Sequence, residues 1–279
     1  MTVSVFWHPS SIMHSAGPGH PESPTRIEAV LAELKDPQVR FDIAWCEAEP
    51  ADHNLLCRVH SVSYLGRLQR LSTDGGGRLD EDTAVNQHSY EAAVRGAGAA
   101  VGAAQSALNG VPAFAAVRPP GHHATGDTAM GFCLINNVVV AARWALENAG
   151  VERVLIVDWD VHHGNGTQAL VESDARIRYV SLHQWPLYPG TGTVYEKGVG
   201  NIFNVPRPPG LPRTTYVADL DAAVSAATDG WVPDLILISA GFDALSGDPL
   251  AGFTLEPEDY SHWVSSWLDM GVPIASLLE

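Results

Sequence analysis

Short, nearly uninterrupted apolar runs punctuate the chain at Val3 to Trp7, Phe41 to Trp45, Ala113 to Val117, Val154 to Val157, Ile177 to Leu182, Leu235 to Ser239 and Val272 to Leu277. A strand with one wet face shows a polar residue at every second position. Runs without that alternation are expected of strands covered on both sides. Between them lie stretches that fit helices, at Thr25 to Leu34, Ser89 to Leu108, Asn137 to Asn148, Thr214 to Thr228 and Pro257 to Met270. The alternation predicts an α/β fold with a mainly parallel central sheet between helical layers. No repeat is visible, and Gly75 to Gly77 is too short to link domains, so residues 1–279 are expected to form one domain. In such sheets ligands collect beyond the carboxyl ends of the strands, which makes polar residues just after the apolar runs the first functional candidates.

Composition narrows the choice of partner. Sixteen basic against thirty-two acidic residues give a formal charge of −16, the wrong sign for a chain that binds nucleic acid by neutralising phosphates. The same field favours cationic substrates such as amines, polyamines or basic protein tails, although acidity also serves solubility. No apolar stretch approaches the roughly 20 residues that span a bilayer, and MTVSVFWHPS lacks the basic start and long apolar core of a secretion signal. A soluble cytoplasmic protein is expected. Cys46, Cys57 and Cys133 form no CxxC pair, as suits a reducing compartment, and provide no thiolate zinc site. Twelve histidines, four of them in two adjacent pairs, stand against only two lysines, so the pairs are where chemistry is to be sought.

Three segments carry it. After the run ending at Val117 comes Arg118-Pro119-Pro120-Gly121-His122-His123-Ala124, in which two prolines stiffen a turn presenting adjacent imidazoles. Two such rings can divide proton removal from proton donation if their surroundings push their pKa values apart. Taken alone, they read more readily as loop histidines with local hydrogen bonds. At the second run, VLIVDWDVHH spaces Asp158, Asp160 and His162 two residues apart, which puts them on one face of a strand end. Two carboxylates and an imidazole on one face call for a compensating cation, and a metal supplies it; the alternative has Asp158 capping the next helix and Asp160 facing water. At the third, Ala240-Gly241-Phe242-Asp243 follows a strand, and Asp243 is either a turn residue or the third member of an Asp-His-Asp zinc set with an open fourth position.

Taken together, the segments RPPGHHA, GFCLINN, VDWDVHHGNGTQ, YVSLHQWPLYPGTG and SAGFDALSGDPLAGF, with the opening GPGHPESPTRIEAV, resemble the histone deacetylase and acetylpolyamine amidohydrolase family. The resemblance is closest to its class II and bacterial-type members and spans nearly the whole chain. It implies an arginase-like three-layer α/β/α sandwich and a catalytic zinc bound by Asp160, His162 and Asp243. It implies that His122 and His123 flank the reacting water, with Asp158 holding His122 and Asn165 holding His123; a neutral asparagine partner should leave that ring less basic. It further implies a potassium ion near Asp158, Asp160, His162, Ser181 and Leu182. A narrow acyl-lysine channel is implied as well, walled by Phe132 and Tyr188, with Gly131 allowing close approach, Leu250 at the rim and Asp82 as a rim acid. Cys133 beside that channel reads as a small buried hydrophobe, and His20 and Arg26 as architectural.

The implied activity is zinc-dependent hydrolysis of acetyl or other short acyl groups from lysine side chains or acetylated polyamines, with His123 as general base and His122 as electrostatic or later proton-donating partner. The family also carries a tyrosine in a GGY segment after its last core strand, which stabilises the oxyanion. Here the sequence stops at Ser276-Leu277-Leu278-Glu279, which resembles the residues directly before that segment, so truncation of a longer enzyme is expected. Loss of one oxyanion donor costs roughly 100- to 1,000-fold in rate. The alternative is a catalytically weakened acyl-lysine receptor that keeps zinc and channel.

Overall fold

The computed structural model describes residues 2–39, 41–148 and 150–279. The strands are β1 (Thr2–Trp7), β2 (Asp42–Glu47), β3 (Gly76–Arg78), β4 (Ala84–Asn86), β5 (Ala113–Ala115), β6 (Val154–Asp158), β7 (Ile177–Gln184), β8 (Ile202–Arg207), β9 (Leu235–Ala240) and β10 (Ile274–Leu278). The helices are α1 (Ser10–Met13), α2 (Pro24–Leu34), α3 (His53–Leu56), α4 (Val62–Thr73), α5 (Ser89–Leu108), α6 (Asn137–Ala145), α7 (Asn165–Val171), α8 (Arg213–Thr228) and α9 (Pro257–Leu268). Eight strands form one sheet in the order β2-β1-β5-β10-β9-β6-β7-β8, and every pairing in it is parallel. All their carboxyl ends therefore open on one edge.

The apolar runs explain the layers. Successive side chains of a strand point to opposite faces. In β6, Val154 and Ile156 join the core beneath α5 and α6, whereas Leu155 and Val157 join the core beneath α8 and α9; β9 repeats this with Leu235 and Leu237 against Ile236 and Ile238. The second core is aromatic, with Trp159, Tyr260, Trp263 and Trp267 packed together. Val5 of β1 with Ile27 and Leu31 of α2 close a smaller third cluster. The three-layer α/β/α expectation agrees with this arrangement.

All seven predicted strands and five predicted helices are present; α5 keeps its predicted bounds and the other elements shift at one or both ends. β2 starts at Asp42 rather than Phe41, β10 at Ile274 rather than Val272, and α6 and α9 end at Ala145 and Leu268 rather than Asn148 and Met270. β8 escapes the pattern because Asn204 and Pro206 interrupt it; at the sheet edge a proline costs no ladder bond that the sheet needs. The antiparallel β3–β4 ribbon and the short α1 and α3 are too brief to show a period. Helix α4 is masked in the sequence by its arginines and serines, although Ser61 caps it through a bond from the Tyr64 amide. Among the described residues no helix is long and apolar enough to cross a membrane. Cys46, Cys57 and Cys133 are all free thiols.

Candidate active site

Three central strands deliver the chemistry to one place, because β5, β9 and β6, with β10 between β5 and β9, all end at the same edge. Beyond β5 the turn carries His122 and His123; beyond β6 come Asp160 and His162; beyond β9 comes Asp243. Side-chain ligand atoms of Asp160, His162 and Asp243 all lie within 4.8 Å of one another. His162 Nδ1 stands 3.2 Å from an Asp160 oxygen and 2.8 Å from an Asp243 oxygen. Zinc bonds of about 2.0–2.2 Å would space tetrahedral donors by roughly 3.4 Å, so the set has the dimensions of such a site.

The alternation read from the sequence holds only in part. Strand β6 ends at Asp158, so Asp160 and His162 lie on the following turn rather than on the strand. Trp159 and Val161 still turn into the aromatic core while Asp160 and His162 turn toward Asp243. Asp158 stays apart from the triad. Its Oδ2 faces His122 Nδ1 at 3.0 Å and accepts from the Tyr179 hydroxyl at 2.8 Å, and Oδ1 accepts from the Asp160 amide. Asp158 does not cap α7, whose N-cap is Gly164. Tyr179 is a site residue the sequence reading missed, although it lies two residues before Ser181 on the same strand face.

The two histidines are in contact, with ring centroids 4.0 Å apart, and both are buried. Burial disfavours charge on His122, but Asp160 and Asp158 outweigh it and lift the ring to about 10. His123 goes the other way, well below 6.5, through burial and the charge on His122. The expected Asn165 contact is present, His123 Nδ1 to Asn165 Oδ1 at 2.8 Å; it acts in the raising direction, and burial and the neighbouring ring outweigh it.

In the triad, burial opposes charge on His162, yet the bonds to Asp160 and Asp243 raise it to about 10. Asp243 is raised by burial and by the Asp160 charge, whereas Asp160 is lowered, because His122 and His162 overcome its burial. Asp160 and Asp243 thus meet in a low-dielectric pocket, with Asp158 behind His122, and the groups that face them are imidazoles. A divalent cation preferring nitrogen and oxygen donors fits that balance. Space is reserved for the carboxylate as well: a Cβ on Gly241 would overlap the Asp160 side chain.

Around this centre, the Tyr188 ring stands edge-on to His123 and His162, at centroid distances of 5.1 and 6.3 Å. Gly131 adopts φ +54, and a Cβ there would strike the His123 ring and crowd Tyr188. Phe132 is the one non-glycine residue with positive φ among those described, at 69°; its amide donates to the Thr83 hydroxyl, which donates to Asp82, while His20 packs edge-on against its ring. His20 also bonds the Asp82 carbonyl at 2.9 Å. Leu250 is 45% exposed on the segment after Asp248. Ser181 pairs in register with Asp158 and its hydroxyl bonds His183, and Leu182 is buried in the aromatic-side core. The Cys133 thiol is buried with its pKa pushed well up, so it is a packing residue whose sulfur accepts from the His123 amide.

The profile described as the histone deacetylase domain matches residues 20–279. The chain belongs to the histone deacetylase family. A probable deacetylase of Methanothermobacter thermautotrophicus is 39% identical over 284 residues, covering 99% of this chain and 84% of that protein. A histone deacetylase-like amidohydrolase of Pseudomonas aeruginosa is 39% identical over 252 residues, covering 88% of this chain and 66% of that protein. The crystal structure of the HDA15 HD domain superposes with a TM-score of 0.93 at 36% identity, covering 99% of this chain and 85% of the other. Membership in this family supports a hydrolase of the deacetylase and amidohydrolase kind.

Proposed function

We propose that the protein removes acetyl or other short acyl groups from lysine side chains or acetylated polyamines, with zinc held by Asp160, His162 and Asp243. The observation that carries this is the 4.8 Å clustering of the triad's donor atoms beside the tandem histidines, with His122 Nε2 3.9 Å from Asp160 Oδ1. Zinc, when bound, supplies a Lewis acid that polarises an amide carbonyl and brings water ionisation toward neutral pH. His123 accepts a proton at Nε2, because Nδ1 is engaged with Asn165 and burial keeps the ring neutral. His122, paired with Asp158, holds positive charge near the developing oxyanion and can return a proton to the leaving amine. Phe132, Tyr188 and Gly131 form the channel for an acylated amine chain, with Asp82 and Leu250 at its rim. The reading includes potassium near Asp158, Asp160, His162, Ser181 and Leu182, for which the buried register pair Asp158 and Ser181 is the support.

Zinc content and acetate release from an acetyl-lysine peptide and an acetylated polyamine test the proposal. Asp160→Ala and Asp243→Ala should each lose the metal, and full zinc occupancy in both would overturn the assignment. Tight hydroxamate binding without acetate release from either substrate would favour the acyl-lysine receptor instead.

A further inference from the structure

Strand β10 runs between β5 and β9 and ends at the edge where the site opens, which carries one acid inward that the mechanism above does not use. The Glu279 side chain is 4% exposed. One of its oxygens accepts from two consecutive backbone amides of the tandem-histidine turn, Gly121 at 2.6 Å and His122 at 3.0 Å. The other accepts from the Ser239 hydroxyl at the end of β9. Its own amide donates to the Ala240 carbonyl, and Arg26 donates to its carbonyl. The main chain of the turn is thus clamped from below, while Asp158 and Asn165 grip only its rings.

Backbone N–H groups can only donate, so the oxygen facing Gly121 and His122 must be an acceptor, and a carboxylate oxygen meets both donors at once. Among the described residues no other acceptor meets either amide, and Pro119 and Pro120 contribute no N–H that could anchor the turn elsewhere. A gap beneath the turn would leave two buried donors unpaired and free the peptide that sets the direction of His122. Ser239 couples the same carboxylate to the strand that leads to Asp243, so the acid spans the base-carrying turn and the ligand-carrying turn.

We infer that Glu279 is a positioning residue of the active site, whose carboxylate fixes the Gly121–His122 backbone and so sets the histidine pair against the metal triad. This rests on the deacetylase reading for its kinetic consequence but not for its structural one. Glutamine can keep one oxygen toward the two amides and turn its NH2 toward the Ser239 hydroxyl; alanine can do neither.

The test compares wild type, Glu279→Gln, Glu279→Ala and Ser239→Ala by amide hydrogen exchange, zinc content and steady-state kinetics. In Glu279→Ala the Gly121 and His122 amides should exchange about tenfold faster or more, while the amides within β6 and β9 keep wild-type rates. Zinc content should be retained, kcat should fall roughly 10- to 100-fold, and KM should change little. Glu279→Gln should recover most of the lost kcat and most of the amide protection. If Glu279→Ala proves unfolded, Ser239→Ala, which frees one oxygen of the same carboxylate, should still quicken exchange at those two amides. Unchanged exchange at Gly121 and His122 in every folded variant, or a Glu279→Gln enzyme as impaired as Glu279→Ala, would overturn the inference. Absence of acetate release from the wild type would sink the deacetylase reading alone, and the amide exchange of the same samples would still decide the role of Glu279.

Discussion

Replacing Glu22 by glutamine should be among the most damaging single changes outside the metal triad. Glu22 is buried, and its carboxylate takes a two-pronged contact from Arg118, which is wholly buried, with Nη2 to Oε2 at 2.6 Å. His14 Nε2 and Arg26 Nη1 each approach it at 3.4 Å. Arg118 also donates to the carbonyls of Ser11 and His14, so the pair ties the α1 segment to the start of the tandem-histidine turn. Burial works to raise the Glu22 carboxyl, but the bonds from His14 and Arg118 overcome it and bring it from 4.5 to about 2. A carboxyl so lowered contributes about 3 kcal/mol at neutral pH. Glutamine forfeits that and leaves the Arg118 charge buried without a counterion, for a total loss of about 3–5 kcal/mol. Because the folded value lies below the unfolded one, the contribution is complete above about pH 4.5 and fades as pH falls toward 2; at pH 3 about half remains. Urea unfolding of wild type and variant at pH 7 and pH 3, followed by tryptophan fluorescence, reads both quantities. A loss under about 1 kcal/mol at pH 7, or a gap that does not narrow at pH 3, would refute the reasoning.

Gly241→Ala removes no ligand but drives a methyl group into the Asp160 carboxylate, so zinc affinity measured by competition with a chelator should fall about tenfold or more, and wild-type affinity would show that the turn has slack. Thr83→Val keeps the shape of the side chain but removes the hydroxyl linking the Phe132 amide to Asp82, leaving a left-handed phenylalanine without its anchor. Unfolding free energy should drop by about 1–3 kcal/mol and KM for an acetyl-lysine peptide should rise, both restored by Thr83→Ser.

Much of the site was legible because its residues follow buried strands. Apolar runs without alternation identify strands covered on both faces, parallel strands share one functional edge, and the polar residues just past Val117, Asp158 and Ser239 therefore had to meet there. The run VLIVDWDVHH also showed which residues turn inward, since Trp159 and Val161 could only serve the core. Where the pattern was diluted, as at β8 with Asn204 and Pro206 or at α4 with its polar residues, composition hid the element until neighbours supplied the burial.

What the sequence by itself determined was the kind of groups available, the fold class and the family motifs, because these depend on residue type and spacing within single segments. Tertiary structure alone decided which groups face one another across long separations: Glu22 with Arg118, 96 residues apart, Tyr179 with Asp158, and Glu279 with the Gly121 and His122 amides, 158 and 157 residues apart. It also decided the proton balance of the histidine pair, where burial and the adjoining ring keep His123 neutral. Such quantities are set by distance and desolvation, and neither is a property of any one stretch of chain.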